Sequence, residues 1–209
     1  MKRDLFITFE GIEGSGKTTQ VHILKNKLQK AGFTVVQTRE PGGTPLGEKI
    51  RQLLLDPSNT DIKPLTELLL YMASRAQHYK ELIVPALERG EIVISDRFLD
   101  ASVAYQGAGR QIKIEWIKTL NDICLEGNKP DVTFILDLDI EESRKRLLGR
   151  DLFPDRLESE GNTFFHLVRE YYLDLATSGE KRFKLINASK NMDLVSEEIW
   201  DIIKGYINV

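Results

Sequence analysis

The sequence has little cysteine, no long apolar run and no excess of positive charge, and each absence excludes a class of protein. Its 209 residues contain one cysteine, Cys124, so no internal disulfide can form, and no Cys/His cluster has metal-ligand spacing. The apolar stretch Leu5–Phe9 is too short for a secretion signal, and no uncharged run approaches the ~18 residues of a membrane span. A net charge of −3 argues against a nucleic-acid-binding surface. We therefore expect a cytoplasmic protein that binds neither membranes nor nucleic acid.

Short apolar runs alternate with helical patterns along the whole chain, and no linker or repeat divides it, so we expect residues 1–209 to form a single domain. Five runs rich in Ile, Val, Phe and Thr are predicted to be strands buried on both faces: Leu5–Phe9, Val35–Thr38, Ile92–Ser95, Val132–Leu138 and Phe183–Asn187. The alternation predicts an α/β fold, with a five-stranded parallel sheet flanked by helices. Within the helical pattern around residues 63–89, Pro85 should produce a kink or a break.

A glycine-rich segment between the first predicted strand and a helix has the spacing G-x4-G-K-[ST] of a phosphate loop. It consists of Gly11, Ile12, Glu13, Gly14, Ser15, Gly16, Lys17 and Thr18. Glycines allow backbone N–H groups to turn inward around phosphate oxygens, and the start of the following helix adds its positive dipole end. Lys17 can neutralise the β- and γ-phosphates, and the Thr18 hydroxyl can ligate Mg²⁺. A flexible glycine turn is the alternative, but the strand before and the helix after favour a nucleoside triphosphate site.

Phosphate loops also occur in GTPase switches, and residues 128–131 spell the guanine-reading motif N-K-x-D. Here that motif precedes an apolar strand, whereas in GTPases it follows one. The companion motif D-x-x-G is missing from the sequence. We therefore interpret residues 128–131 as a polar turn between a helix and a strand.

A small kinase needs a second anion site that faces the phosphate loop, and arginines follow two of the predicted strands. Arg39 lies in a segment that continues Glu-Pro-Gly-Gly-Thr, and Arg97 follows Asp96 after the third strand. Ligand sites in α/β sheets form at these carboxyl ends, and the planar guanidinium suits a phosphate dianion. Arg51 lies seven residues after Thr44 on a predicted helix, and Asp96 has the usual position of a Mg²⁺-side carboxylate. A lone arginine of this kind is usually solvated; two at strand ends favour a phosphate-binding function.

Four segments together resemble the thymidylate kinase family, in order and at the family's intervals: residues 9–20, 38–44, 96–98 and 104–107. The resemblance implies a P-loop NTPase fold with a short lid at about residues 149–160. It also implies a homodimer that transfers the γ-phosphoryl group of ATP to dTMP, with Mg²⁺, for dTTP synthesis. Residues 11–19, including Thr19, correspond to the ATP-binding loop.

The resemblance also assigns the acceptor site. Tyr71 would stack on thymine and Arg75 would donate to its O4 atom; four residues apart, the two share one face of a helix. Without the resemblance, a core tyrosine and a solvated arginine would be the simpler interpretation. By the same resemblance, Ser102 and Gln106 would reach the edge of the base, and Tyr105 would crowd a ribose 2′-hydroxyl. Arg39, Arg51 and Arg97 would clamp the 5′-phosphate, and Glu13 would lie near the sugar 3′-hydroxyl.

The transferred phosphoryl group is expected to meet Lys17, Arg97, Mg²⁺ held by Thr18 and Asp96, and an arginine of the lid. Eukaryotic members of the family carry arginine where this chain has Gly14, so the chain resembles the bacterial type, in which lid arginines complete the site. The lid contains Arg150, our first choice, and Arg156, our second. An arginine placed at position 14 should then partly replace Arg150.

Two other functions stay open on the sequence alone. One is another P-loop kinase that acts on a deoxynucleoside or a different nucleotide; the other is a nucleotide-dependent binding switch without turnover. A panel of phosphoryl acceptors separates all three, because only a monophosphate kinase needs the arginine clamp.

Overall fold

Five parallel strands form the sheet of the computed structural model, which describes residues 4–149 and 156–207. They are β1 Leu5–Glu10, β2 Val35–Arg39, β3 Ile92–Asp96, β4 Val132–Asp137 and β5 Phe183–Asn187. The sheet order is β2-β3-β1-β4-β5, and every pairing is parallel. The predicted α/β fold is confirmed, and each predicted strand is displaced by at most one residue at its end. The strands lie between helices on both faces, which explains their nearly continuous apolar sequences.

Nine α-helices surround the sheet within the described ranges: α1 Lys17–Lys30, α2 Pro45–Leu55, α3 Pro64–His78, α4 Val84–Glu88, α5 Leu99–Ser102, α6 Ile114–Leu125, α7 Ile140–Leu148, α8 Asn162–Thr177 and α9 Met192–Ile207. Helices α1 and α9 pack together against one side of the sheet, where Leu24, Ile199 and Ile203 are buried. Helix α8 contacts β4 and β5 and buries Phe164 and Tyr172 in a second cluster. None of the helices in the described ranges is both long and apolar enough to cross a membrane.

The predicted break at Pro85 is confirmed. Helix α3 ends at His78, a π-helical segment covers Tyr79–Ile83, and Pro85 lies in the first turn of α4. Proline has no N–H to donate and its ring clashes with the carbonyl four residues earlier, so it is tolerated best in a first turn. A second π-helical segment, Val103–Gly109, carries residues of the predicted acceptor site.

The strand order places the predicted functional segments at one edge of the sheet. Strand β1 lies between β3 and β4, so the chain switches direction across the sheet at β1. In the register of the sheet, Asp96 is opposite both Phe9 and Arg39. The phosphate loop, the Arg39 segment and the Asp96-Arg97 turn therefore leave the sheet side by side. Crevices at such switch points are where α/β proteins bind ligands.

Candidate active site

A cleft of about 540 Å³ opens at this carboxyl edge of the sheet. Predicted residues from both the phosphate-loop site and the acceptor site line it: Glu13, Gly14, Lys17, Thr18, Arg39, Arg51, Tyr71, Arg75, Asp96, Arg97, Ser102, Tyr105 and Gln106. The sequence spreads these side chains over about ninety positions, and the fold collects them around one space. The volume of the cleft lies in the range of small-molecule binding sites.

The other predicted residues are not among those that line the cleft. Gly11, Ile12, Ser15, Gly16 and Thr19 belong to the loop and to the start of α1. Arg156 is directed elsewhere, as described below. Arg150 lies outside the described residues.

Glycine is required in the phosphate loop at position 14 for two reasons. Its φ is +71°, and a Cβ placed there would lie 2.9 Å from the backbone oxygen of Ser143 in α7. A side chain would be strained by its backbone conformation and would displace α7. The structure thus contradicts the expectation that an arginine fits at position 14.

Lys17 is buried at the first position of α1, with its ammonium folded against the loop. Nζ donates to the carbonyl oxygens of Gly11 (3.0 Å) and Ile12 (2.7 Å) and to Ser15 Oγ (3.3 Å). Burial, together with the neighbouring charge of Arg97, lowers the pKa of Lys17 to about 8. The ammonium is thus held by three neutral oxygens at the mouth of an anion site, and a phosphate would compensate its charge better than they do.

Thr18 and Asp96 meet at the same end of the cleft. Thr18 Oγ1 donates to Asp96 Oδ2 at 2.5 Å. Within the described ranges, no three His, Cys, Asp or Glu side chains are grouped as a metal site. One hydroxyl and one carboxylate suit Mg²⁺, which commonly takes one or two protein oxygens and fills its other positions with substrate phosphates and water. The two residues predicted to hold Mg²⁺ therefore fit that ion chemically.

Arg97 anchors a second group of side chains. Its backbone is left-handed, with φ 67°, and its guanidinium donates to Gly11 O (3.1 Å) and to Glu13 Oε1 (2.8 Å). The guanidinium carbon also lies 4.8 Å from the centre of the Tyr105 ring, whose hydroxyl donates to Glu13 at 2.9 Å. Burial raises the pKa of Tyr105 well above its usual range, so the phenol keeps its proton. Glu13, Arg97 and Tyr105 thus form one preorganised network on the cleft wall.

Glu10 supports this turn from below, and sequence reasoning missed it. Its Oε1 accepts the Phe98 N–H at 2.8 Å and its Oε2 accepts the Tyr172 hydroxyl at 2.7 Å. Burial, together with the charge of Asp100, raises the pKa of Glu10 to about 8. The bond to Phe98 helps to fix the strained conformation of Arg97. The sequence signal that could have identified Glu10 is its position as a carboxylate at the end of an otherwise apolar, buried strand.

Two further arginines line the cleft. Arg39 is half exposed and pairs with Glu48 at 2.9 Å, while Arg51 donates to the carbonyl oxygen of Pro41 at 2.9 Å. Exposed pairs of this type contribute little to stability, so the guanidinium of Arg39 exchanges readily between carboxylate and phosphate partners. Together with Arg97, these arginines bring three guanidinium groups to the acceptor side.

Arg75 lines the cleft, but each nitrogen of its guanidinium already has a protein partner. Nε and Nη2 contact Glu40 (2.8 and 2.7 Å), Nη1 donates to Ser102 and Asn121, and Nη2 donates to the carbonyl oxygen of Phe98. The side chain is 1% exposed. The structure therefore shows an arginine that holds Glu40 and Ser102 in place, and its contact with a base remains a prediction.

Arg156 is fixed on the acceptor side, away from the phosphate loop. Its Nε donates to the carbonyl oxygen of Leu54 at 2.8 Å, and its Nη2 lies 2.5 Å from Glu67 Oε2. Glu67 is buried in α3 and also accepts from Gln106 and Arg110. Sequence reasoning missed Glu67, because nothing in the pattern of α3 distinguishes it from a solvated glutamate.

Helix α7, which leads into the lid segment, is attached to the phosphate loop. Ser143 Oγ donates to the carbonyl oxygen of Glu13 at 2.7 Å, and Arg146 donates to the carbonyl oxygens of Gly14 and Ala188. Arg146 thus joins the loop to the segment after β5. No sequence pattern distinguishes Arg146, since Glu142 and Arg146 have the spacing of an ordinary surface pair.

Comparisons with known proteins identify the family of the chain. A profile of the thymidylate kinase family matches residues 9–199. The thymidylate kinase of Halothermothrix orenii is 50% identical over 205 residues, which cover 97% of this chain and 98% of the relative. That of Pseudomonas putida is 45% identical, with 97% and 96% covered. A crystal structure of thymidylate kinase from Ehrlichia chaffeensis superposes with a TM-score of 0.78 at 37% identity, covering 96% of this chain and 98% of that one. The chain belongs to the thymidylate kinase family.

Proposed function

We propose that this chain transfers the γ-phosphoryl group of ATP to dTMP, giving ADP and dTDP. The observation that carries the proposal is a cleft lined both by the phosphate loop and by three arginines, Arg39, Arg51 and Arg97. Two anion sites that share one space suit the transfer of a phosphoryl group between two nucleotides. Membership of the thymidylate kinase family supports dTMP as the acceptor.

The donor end is built to neutralise charge. Backbone N–H groups of residues 11–18 and the first turn of α1 would hold the phosphates of ATP, and Lys17 would leave its carbonyl partners for them. Thr18 and Asp96 would hold Mg²⁺, which supplies positive charge to the phosphate oxygens when it is bound. The Lys17 ammonium is the positive charge that the phosphate loop itself supplies to the phosphates.

The acceptor end is built to place a phosphate and a base. Arg39, Arg51 and Arg97 would clamp the 5′-phosphate, and the ring of Tyr71 would stack on the base. Glu13 would lie near the sugar 3′-hydroxyl, and Tyr105, held by Glu13, would leave no room for a ribose 2′-hydroxyl. Ser102, Gln106 and Arg75 form the wall that the edge of the base would meet.

The reaction itself asks little covalent chemistry of the protein. The phosphate oxygen of dTMP is already a nucleophile, so no general base is needed. The protein contributes by placing that oxygen in line with the γ-phosphorus and by neutralising the charge that spreads over the transferring group. A lid at about residues 149–160 that closes over the cleft would exclude water, which otherwise competes as an acceptor.

The test is an acceptor panel with ATP and Mg²⁺, in which ADP release is measured with dTMP, dUMP, dCMP, AMP and thymidine. We expect kcat/KM to be highest for dTMP. Turnover with thymidine in place of dTMP would point to a deoxynucleoside kinase instead. ATP binding without turnover on any acceptor would point to a nucleotide-dependent switch.

Replacing Arg75 with alanine is expected to weaken dTMP binding much more than ATP binding, because Arg75 shapes the acceptor wall and none of its hydrogen bonds to the described residues reaches the phosphate loop. The same change should lower the free energy of unfolding by about 3–5 kcal/mol, since Glu40 is left buried without its arginine. Titration calorimetry and urea denaturation measure the two effects. Equal weakening of both nucleotides would show that Arg75 acts only through the fold.

We also propose that the chain is one domain over residues 1–209 and works as a homodimer in the cytoplasm. Large apolar side chains are exposed on one stripe of each of three neighbouring helices, α2, α3 and α6: Leu46 and Leu53, Leu65 and Leu69, Trp116 and Ile123. A second copy of the chain that covers this surface would remove it from water. The single thiol, Cys124, donates weakly to the carbonyl oxygen of Met72, as suits a reducing compartment.

A further inference from the structure

We propose that Glu67 is a positioning residue that sets the base preference by fixing which end of the Gln106 amide faces the cleft. The inference rests on the proposed function, because it concerns how the same cleft selects the base of its nucleoside monophosphate. Glu67 itself does not line the cleft; it acts through Gln106.

The two side chains form a buried pair that joins α3 to the π-helical segment Val103–Gly109. Each residue is 1% exposed, and Gln106 Nε2 donates to Glu67 Oε1 at 2.9 Å. A carboxylate can only accept hydrogen bonds, whereas an amide has a donating and an accepting end. Glu67 therefore selects one of the two orientations of the Gln106 amide.

Glu67 is kept in its charged form by its other partners. Arg110 donates to both of its oxygens at 3.3 Å, and Arg156 lies 2.5 Å from Oε2. Burial alone would raise the pKa of Glu67, but hydrogen bonds from Gln106 and the charge of Arg110 outweigh it, and the pKa lies below its usual value. The carboxylate thus stays an acceptor through the neutral range.

The other end of the amide is open to the cleft. Among the described residues, no buried side-chain oxygen or nitrogen lacks a hydrogen-bond partner. Oε1 of Gln106 receives no hydrogen bond from those residues, and Gln106 lines the cleft. The accepting end of the amide is therefore the one available to a ligand.

An acceptor at this position distinguishes pyrimidine bases. Thymine and uracil carry an N–H at N3, which can donate to Oε1, whereas N3 of cytosine is itself an acceptor. Two facing acceptors leave both groups unpaired in a buried site, and sites of this kind reject such analogues strongly. Because charged Glu67 fixes the Gln106 amide with its oxygen toward the cleft, it favours a base that carries an N–H at N3.

The Glu67→Gln variant tests this link with little change in volume. The new amide keeps its oxygen toward Arg156 and Arg110 Nη2 and turns its NH₂ toward Gln106, at the cost of the 3.3 Å contact with Arg110 Nε. The Gln106 amide must then flip and present a donor to the cleft. The probes are dTMP and 5-methyl-dCMP, which share the 5-methyl group and differ in the N3 and C4 substituents. We expect the ratio of their dissociation constants, measured by calorimetry, to move toward 5-methyl-dCMP by about tenfold or more, with ATP affinity unchanged.

A matched control is Glu160→Gln, which removes the other carboxylate partner of Arg110 but leaves the Gln106 bond intact. It should keep the wild-type ratio. The double variant Glu67→Gln/Gln106→Glu keeps the charge of the cluster, guards against misfolding of the single variant, and returns an acceptor to the cleft; the preference for dTMP should return with it.

An unchanged ratio in folded Glu67→Gln, or no return in the double variant, would overturn the inference. Failure of the wild-type protein to phosphorylate dTMP would instead overturn the proposed function, so the two failures are distinguishable.

Discussion

Replacing Lys17 with alanine is expected to lower kcat by two or more orders of magnitude while the fold survives. The charge of Lys17 acts mainly on the transferring phosphate, so its loss is a loss of transition-state stabilisation. The fold should persist because the ammonium contacts three neutral oxygens of the loop, and removing it leaves no buried charge unpaired. Steady-state ADP release measures kcat, and circular dichroism shows whether the fold is retained.

Lys30→Ala, at the exposed end of the same helix, is the matched control and should keep full activity. A Lys17→Ala enzyme with turnover close to that of the wild type would contradict the phosphate-loop assignment.

The pKa of Lys17 adds a pH signature to the same residue. In the free enzyme, burial lowers this pKa to about 8, so the ammonium is lost as the pH rises through that value. Because the bound phosphates need the charged form, kcat/KM for ATP should fall above about pH 8 in the wild type. Bound phosphate favours the ammonium and raises its pKa, so kcat at saturating ATP should stay constant to a higher pH.

The fold and the phosphate end were predictable because their signals are local. An apolar strand, a glycine loop and a helix follow one another within residues 5–30, and the spacing of the glycines in that context is typical of a phosphate loop. Arg39 and Arg97 were predictable as a class, since they lie at the ends of strands that meet at one edge in any parallel sheet. The break at Pro85 was predictable for the same reason, because proline disrupts the helix in which it lies.

The buried carboxylates were not predictable, because their partners are distant in sequence. Glu67 meets Gln106 and Arg156, and Glu40 meets Arg75, at separations of 35 to 89 residues. A glutamate in a helix looks the same in sequence whether it is solvated or buried among arginines. The orientation of the Gln106 amide is set by such a partner, so it depends on tertiary structure alone.

The sequence suggested an arginine at position 14 as a substitute for a lid arginine, and the structure shows why that substitution is unfavourable. The positive φ at Gly14 and the nearby Ser143 backbone belong to a contact between the loop and α7. The motif spacing identifies Gly14, but only the packing of α7 shows that the Ser143 backbone occupies the space that a side chain at position 14 would need.

Arg150→Ala is expected to lower the single-turnover rate of phosphoryl transfer by about 10³-fold or more, with little change in dTMP affinity. With Gly14 in the loop, Lys17 and Mg²⁺ face the developing charge without a guanidinium from the loop itself. An arginine brought over that charge contributes roughly 10³–10⁵ in rate in related P-loop enzymes. Arg150 lies outside the described residues, so the choice between it and Arg156 depends on the segments that flank them.

Those segments favour Arg150. Helix α7 ends at Leu148, two residues before Arg150, and it is hydrogen-bonded to the phosphate loop through Ser143. Arg156 is instead bonded to Leu54 and Glu67 on the acceptor side. To reach the γ-phosphate, Arg156 would have to leave a buried carboxylate, which costs several kcal/mol.

Arg156→Ala should therefore cost less in rate than Arg150→Ala and more in stability, because it removes a partner of Glu67. Rapid-quench transfer with saturating ATP, Mg²⁺ and dTMP measures the rates, and urea denaturation measures the stabilities. A fast Arg150→Ala enzyme beside a slow Arg156→Ala enzyme would exchange the two roles and would require the Glu67 contact to break during each turnover. If both variants transfer as fast as the wild type, no lid arginine stabilises the transferring group, and Lys17, Arg97 and Mg²⁺ carry that charge alone.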